Sequence, residues 1–268
     1  KRTFGSNTMP ETSDHNVKIV DQHTQQAAGY AQLTQSLSGQ KPSQRHEVIG
    51  ARPDDILLDI ACGTGSLTLE LAPHVAHAIG FDITPAMLDQ ARSAQQTKDV
   101  SNVVWIQGDA AALPFADGAL SLVTCSSAFH HFETPVDILK EMARVCRPGG
   151  RIAVSDVTPD ADKTSAYDRM EKMRDPSHGH AHSVPELVEL GRRFNLTDPV
   201  IETSMTGPIP YEAVLATSFP ETHSREELLE LMRQDAEAGE DSLGFRAQTG
   251  DGTVLVTYPV STLVWIRH

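Results

Sequence analysis

The sequence predicts a doubly wound α/β fold on a mostly parallel sheet. Three observations carry this: strand-like apolar runs alternate with helical patterns over residues 50–157, the first run empties into a glycine turn, and acidic residues close the strands that follow. Ile56-Leu57-Leu58-Asp59-Ile60 has the apolar continuity of a strand covered on both faces. Gly63 and Gly65 allow a tight turn and a close approach of backbone to a ligand, and a helix from about Ser66 to Leu71 presents its unpaired N–H groups there. This is the pattern of a nucleotide-cofactor loop.

The spacing narrows the choice of nucleotide. Gly63-Thr64-Gly65-Ser66-Leu67-Thr68 has two glycines of a dinucleotide fingerprint, but Thr68 stands where a third small residue would let the helix close beneath a pyrophosphate. Asp59, just ahead of the loop, would repel a pyrophosphate and suit an ammonium or sulfonium group. A nicotinamide dehydrogenase is therefore disfavoured.

The remaining elements follow in order. Residues 76–82 read as a second strand ending in Asp82, which lies 17 residues past Gly65, a usual distance for a carboxylate that accepts ribose hydroxyls. Thr84 and Pro85 read as N-cap and first residue of a helix. Strands are expected at residues 103–106, 120–125 and 151–155, the last after the turn Arg147-Pro148-Gly149-Gly150. Beyond it, helices are expected over residues 163–173, 184–194, 210–218 and 224–238, with Ser183 and Glu186 as a capping pair. Strands are expected at residues 200–205 and 254–265.

The motif Asp59-x-Ala61-Cys62-Gly63-Thr64-Gly65, with the later acids and the Pro-Gly-Gly turn, resembles class I S-adenosylmethionine (SAM) dependent methyltransferases. It looks most like the ubiquinone/menaquinone-biosynthesis C-methyltransferases and related small-molecule enzymes. The resemblance implies a Rossmann-like sheet with an antiparallel last strand, a helical N-terminal lid over residues 16–48, a cofactor core at 50–157, and a helical substrate cap with the last strands at 158–268. It also implies transfer of a methyl group from SAM to a small aromatic or conjugated acceptor, leaving S-adenosylhomocysteine. A SAM-binding enzyme performing another reaction, or a non-catalytic SAM binder, is the alternative.

On this resemblance Asp59, Gly63 and Gly65 hold the methionine end of the cofactor, Asp82 the ribose, and Asp109 with Ala110 the adenine. Ile83 and Met87 flank the base, Ser126 meets the amino-acid portion through its backbone, and Tyr30 of the lid is a candidate for the methionine carboxylate or else packs at the domain edge. His130 and His131 follow the fourth strand, where the methyl group would lie. Either is a candidate proton acceptor, because histidine titrates near neutrality. His131 is slightly preferred, and the competing reading is that one of the pair packs under the cofactor. Quinone-pathway members carry an Arg-Asn-containing segment there, whereas this chain has Phe129-His130-His131-Phe132, which favours another acceptor.

His178, His180 and His182 alternate in a loop holding Pro176 and Gly179. No motif completes a zinc set, so no metal is expected; His178 and His180 either line the substrate pocket or belong to an inert loop. The formal charge of −14 over 268 residues argues against nucleic acid or an anionic membrane surface as partner. No apolar run approaches the roughly 18 residues of a membrane span, and no secretory signal is evident. Cys62, Cys125 and Cys146 suggest no disulfide framework. A cytoplasmic protein acting on a small molecule, with a homodimer possible, is the expectation. Residues 1–15 read as an appended remnant and loose tail, with Met9 as the natural start, ahead of a single domain over 16–268.

Overall fold

Ile56 to Ile60 becomes an interior strand because Leu57, Leu58 and Ile60 have apolar partners on the two faces of the sheet. Leu58 and Ile60 enter one hydrophobic cluster with Phe81, Phe129 and Trp265, whereas Leu57 enters another with Leu67, Leu71 and Leu122. The computed structural model describes residues 13–38 and 45–268. Helices α1 (Asp14–Ser38) and α2 (Arg45–Ile49) come first. Next come β1 (Ile56–Ile60), α3 (Ser66–Leu71), β2 (His77–Asp82), α4 (Pro85–Lys98), β3 (Val103–Gln107), β4 (Leu120–Ser126), α5 (Pro135–Val145) and β5 (Cys146–Val157). The C-terminal part adds α6 (Thr164–Arg174), α7 (Val184–Arg192), β6 (Val200–Met205), β7 (Ile209–Pro210), α8 (Tyr211–Ala216), α9 (Arg225–Ala238), β8 (Gln248–Gly250), β9 (Thr253–Val256) and β10 (Pro259–Ile266).

The seven-stranded sheet runs β3-β2-β1-β4-β5-β10-β6. Strands β1 to β5 are parallel, and β10 enters antiparallel between β5 and β6. Strand order reverses between β1 and β4, which opens a crevice at the carboxyl ends of these strands. The capping pair expected at Ser183 and Glu186 forms in both directions, and Ser224 with Glu227 makes a second.

Three expectations need correction. The apolar run 254–265 is two strands: β9 joins β7 and β8 in a separate three-stranded sheet beneath the cap, and only β10 enters the main sheet. Both halves are buried, so the hydrophobic pattern runs unbroken across the bend before Pro259. The Pro148-Gly149-Gly150 turn lies inside β5, which starts at Cys146 and takes up the turn as a register shift against β4. The expected loose tail ends early, since α1 begins at Asp14 and His15 Nε2–H donates to the His131 carbonyl at 2.7 Å. The expected remnant and Met9 lie outside the described residues. Among the described residues no helix is long and apolar enough to cross a membrane.

Candidate active site

A cavity of about 1650 Å³ opens over the carboxyl ends of β1, β2 and β4, with α1 above it and α6, α8 and Tyr258 along one side. Single-ligand pockets run to roughly 1,000 Å³. The space admits a cofactor and a second molecule together.

The glycine loop divides its labour. Ala61, Gly63 and Gly65 all have positive φ, at 50°, 53° and 77°. Gly63 faces the cavity, where an added Cβ would meet nothing within 4 Å, and its N–H donates to Asp82 Oδ2 at 2.8 Å. Gly65, expected to approach the ligand, lies outside the cavity wall. A Cβ there would sit 2.4 Å from Trp105 Cη2, so this glycine serves the packing of α3 against the sheet.

Thr68 also finds its reason. Its hydroxyl donates to Asp59 Oδ2 at 2.6 Å, and Thr124 donates to Oδ1 at 2.8 Å. Asp59 is 1% exposed, and burial pushes its carboxyl up to about 6 against the opposing pull of the two hydroxyls. Asp82 closes β2 and accepts the Gly63 and Thr84 N–H groups, the latter on Oδ1 at 2.8 Å, leaving lone pairs on both oxygens for hydroxyl donors. Asp109 accepts Ala111 N–H on Oδ1 at 2.9 Å and the Asn16 amide on Oδ2 at 2.8 Å. Tyr30, Ile83, Met87, Ala110 and Ser126 join Asp59, Asp82 and Asp109 in the wall. Open backbone at Gly63 and three carboxylates in a row fit a ligand that is cationic at one end and an adenosine at the other.

The histidines separate into different environments. His130 Nδ1–H donates to Asp156 Oδ1 at 2.7 Å, and Asp156 also accepts the His130 and Val157 backbone N–H groups. The His130 ring lines the cavity, and its Nε2 bonds to no described residue. Burial pulls the His130 pKa down, but the Asp156 carboxylate overcomes it and the net shift is upward. His131 donates from Nδ1 to the Ser177 carbonyl at 3.0 Å; burial, then His130 and His23, depress it far below the ordinary value. His23 of α1 meets the His131 ring edge-on with centroids 4.9 Å apart.

His178 and His180, expected at the substrate pocket, do not line the cavity. Both rings turn to Asp168, from Nε2 at 2.8 Å and Nδ1 at 2.6 Å, and Ala181 N–H completes the carboxylate. They pin the loop before α7 to α6. Among the described residues no group of three or more His, Cys, Asp or Glu side chains is placed to hold a metal. Asp156, Asn16 and His23 were missed from the sequence. Asp156 had a signal, as the single acid in the buried run Ile152–Val157. Asn16 and His23 had none, because their partners lie about a hundred residues away.

The fold and the site together define an α/β domain for a nucleoside cofactor that carries a positive charge. A methyltransferase domain family matches residues 58–154. The uncharacterized methyltransferase YcgJ of Bacillus subtilis is 36% identical over 137 residues, which is 50% of this chain and 54% of YcgJ. The uncharacterized protein YafE of Escherichia coli is 30% identical over 150 residues, covering 55% of this chain and 71% of YafE. The ubiquinone/menaquinone biosynthesis C-methyltransferase UbiE of Roseobacter denitrificans is 32% identical over 156 residues, 54% of this chain and 62% of UbiE. The crystal structure of YcgJ superposes with a TM-score of 0.71 at 25% identity, covering 83% of this chain and 99% of that one. The chain spans about half the length of the first curated relatives it matches. It belongs to this methyltransferase family.

Proposed function

We propose that the protein transfers a methyl group from SAM to a small aromatic or conjugated acceptor that loses a proton as it reacts. One observation carries the reading: His130, held at Nδ1 by Asp156, stands in the wall of the cavity that Asp59, Asp82 and Asp109 line. SAM, when bound, supplies an activated methyl group on a sulfonium sulfur. Asp59 and the open backbone at Gly63 hold its methionine end, with Tyr30 and Ser126 nearby in the wall. Asp82 takes the ribose hydroxyls; Asp109 and Ala110 take the adenine, flanked by Ile83 and Met87.

The acceptor side lies between His130, Tyr167, Tyr258 and Ile209, all in the cavity wall. His130 is the base in this reading and displaces His131 from first preference. Its Nδ1–H is held by Asp156, so the lone pair of Nε2 faces the acceptor, and the carboxylate stabilises the imidazolium that forms. His131, with a depressed pKa, is too weak a base and packs against His23. The roof formed by α1 keeps water from the transfer and aligns the reactants, a contribution that reaches several kcal/mol in oriented systems. The acidic surface supports a free metabolite met in the cytoplasm over nucleic acid as substrate.

The test is calorimetric titration with SAM, S-adenosylhomocysteine and NAD, followed by assay of S-adenosylhomocysteine release over a panel of phenols and enolisable carbonyl compounds. Micromolar binding of SAM and its product, with acceptor-dependent turnover, is expected. Binding of NAD instead, or no binding of SAM, overturns the reading.

A further inference from the structure

We propose that Asn16 is a positioning residue for adenine recognition, through which the docking of α1 and the binding of the cofactor become one event. The inference rests on the assignment of Asp109 to the adenine. Asp109 stands in the loop after β3, where Oδ1 is tied to its own turn by Ala111 N–H at 2.9 Å. Oδ2 takes its bond from the other end of the cavity wall: Asn16 Nδ2–H donates to it at 2.8 Å, across 93 residues of sequence. No other described protein group donates to Oδ2, so without Asn16 the carboxylate keeps one tether and can pivot about it.

The chemistry of the two side chains favours a 6-amino purine. A carboxylate oxygen accepts two hydrogen bonds, so Oδ2 can hold the Asn16 amide and an exocyclic amine at once. The Asn16 amide oxygen accepts from no described protein group, and Asn16 lines the cavity. An adenine amino group has two hydrogens, one for each of these acceptors. A 6-oxo base brings an oxygen with no hydrogen for either acceptor, and only the second N–H of the Asn16 amide is there to meet it, so it is bound less well.

The rest of α1 is built to dock by the same exchangeable chemistry. Gln22 and Gln26 are buried on the inner face, Gln22 donating to the Phe219 carbonyl at 2.8 Å and Gln26 to Asp175 Oδ2 at 3.0 Å. His15 donates to the His131 carbonyl. These polar bonds can be exchanged for water when α1 lifts, and the described apolar side chains it buries beside them are Ile19 and Ala27. Asn16 is the one among them whose partner also addresses the cofactor.

The experiment measures the affinity of the full chain for S-adenosylhomocysteine and S-inosylhomocysteine, with hydrogen exchange of the α1 amides with and without S-adenosylhomocysteine. Wild type should bind the adenosyl compound and reject the inosyl one, with α1 protected on binding. Asn16→Ala should bind S-adenosylhomocysteine about tenfold more weakly, as for a lost bond to a charged group. It should also narrow the adenosyl-over-inosyl preference and lose the ligand-induced protection. Gln22→Ala, which loosens α1 elsewhere, should weaken both ligands equally and keep the preference. An unchanged preference in Asn16→Ala overturns the proposal while leaving SAM binding intact. Failure of wild type to bind S-adenosylhomocysteine would instead overturn the cofactor reading on which it stands.

Discussion

His130 and Asp156 form a buried pair: Nδ1 and Oδ1 are 2.7 Å apart, with the two side chains 13% and 4% exposed. The chain brings them together from the loop after β4 and the end of β5, which are neighbouring strands in the sheet. Both shifts favour the ion pair, His130 upward and Asp156 downward. The stability it contributes is full below the ordinary histidine value and is lost as pH rises through the raised His130 value. At the acid end, the Asp156 contribution is present above the ordinary aspartate value and lost as pH falls through the depressed one.

The first prediction concerns that pair. An NMR titration of the His130 ring should give a midpoint above 6.5, and Asp156→Asn should lower it. In turnover, the rate should rise with pH as His130 loses its proton, and the profile of Asp156→Asn should shift to lower pH with a rate reduced by roughly 10²-fold or more. SAM affinity should be unchanged. An unmoved profile would remove His130 from proton transfer.

Asp59 yields a prediction of opposite sign. Its folded pKa of about 6 lies above the ordinary value, so the native state gains protons and stability falls as pH rises from about 4 to 6. Asp59→Asn should therefore raise apo stability at pH 7.5 by roughly 2 kcal/mol, since Thr68 and Thr124 can turn their hydroxyls to suit an amide. The same variant should bind SAM weakly at every pH, whereas wild-type affinity should fall below about pH 6. Thermal melts and calorimetry over pH 5–8 check both halves.

The two loop glycines should fail in different ways. Gly65→Ala meets Trp105 and keeps an unfavourable positive φ, so a loss of about 2–4 kcal/mol is expected. Gly63→Ala has open space and should lose only about 1 kcal/mol, for its positive φ, while its methyl group intrudes on the cavity and weakens SAM binding. Comparing melting temperature with SAM affinity separates them; a Gly65→Ala protein of wild-type stability would contradict the packing role.

His180 should behave as part of a clasp. The hydrogen bond to Asp168, foremost, raises its pKa, so its contribution is present below about pH 6.5 and fades as pH rises through the raised value. The ring is 39% exposed, and solvent screening keeps the effect near 1 kcal/mol. His180→Ala should melt lower in mildly acidic buffer with SAM affinity and acceptor KM unchanged. A raised KM would return this residue to the substrate pocket.

Much of this protein was legible in its residues. Strand β6 and helix α3 fall where the apolar pattern placed them, and Ser183 and Glu186 cap α7 as read. Local chemistry determines these features: side-chain period, capping donors and the conformational freedom of glycine act within a few positions. The row of Asp59, Asp82 and Asp109 was also readable, because parallel strands deliver their ends to one edge of the sheet.

What only the tertiary structure decided depends on distance in sequence. The split of residues 254–265 into β9 and β10 follows from which sheet has a place for each, and burial looks alike in both. Gly65 reads as a ligand-facing glycine until Trp105 of β3 is seen against it. His130 and His131 are adjacent and chemically identical in sequence; His130 gains Asp156, whose carboxylate raises its pKa against burial, whereas His131 is left to burial, His130 and His23, which lower it. His178 and His180 were drawn away from the pocket by Asp168 on a helix that packs beside them. The sequence specified which groups are present and where the cofactor edge lies. Folding chose each group's partner, because an electrostatic environment belongs to neighbours in space.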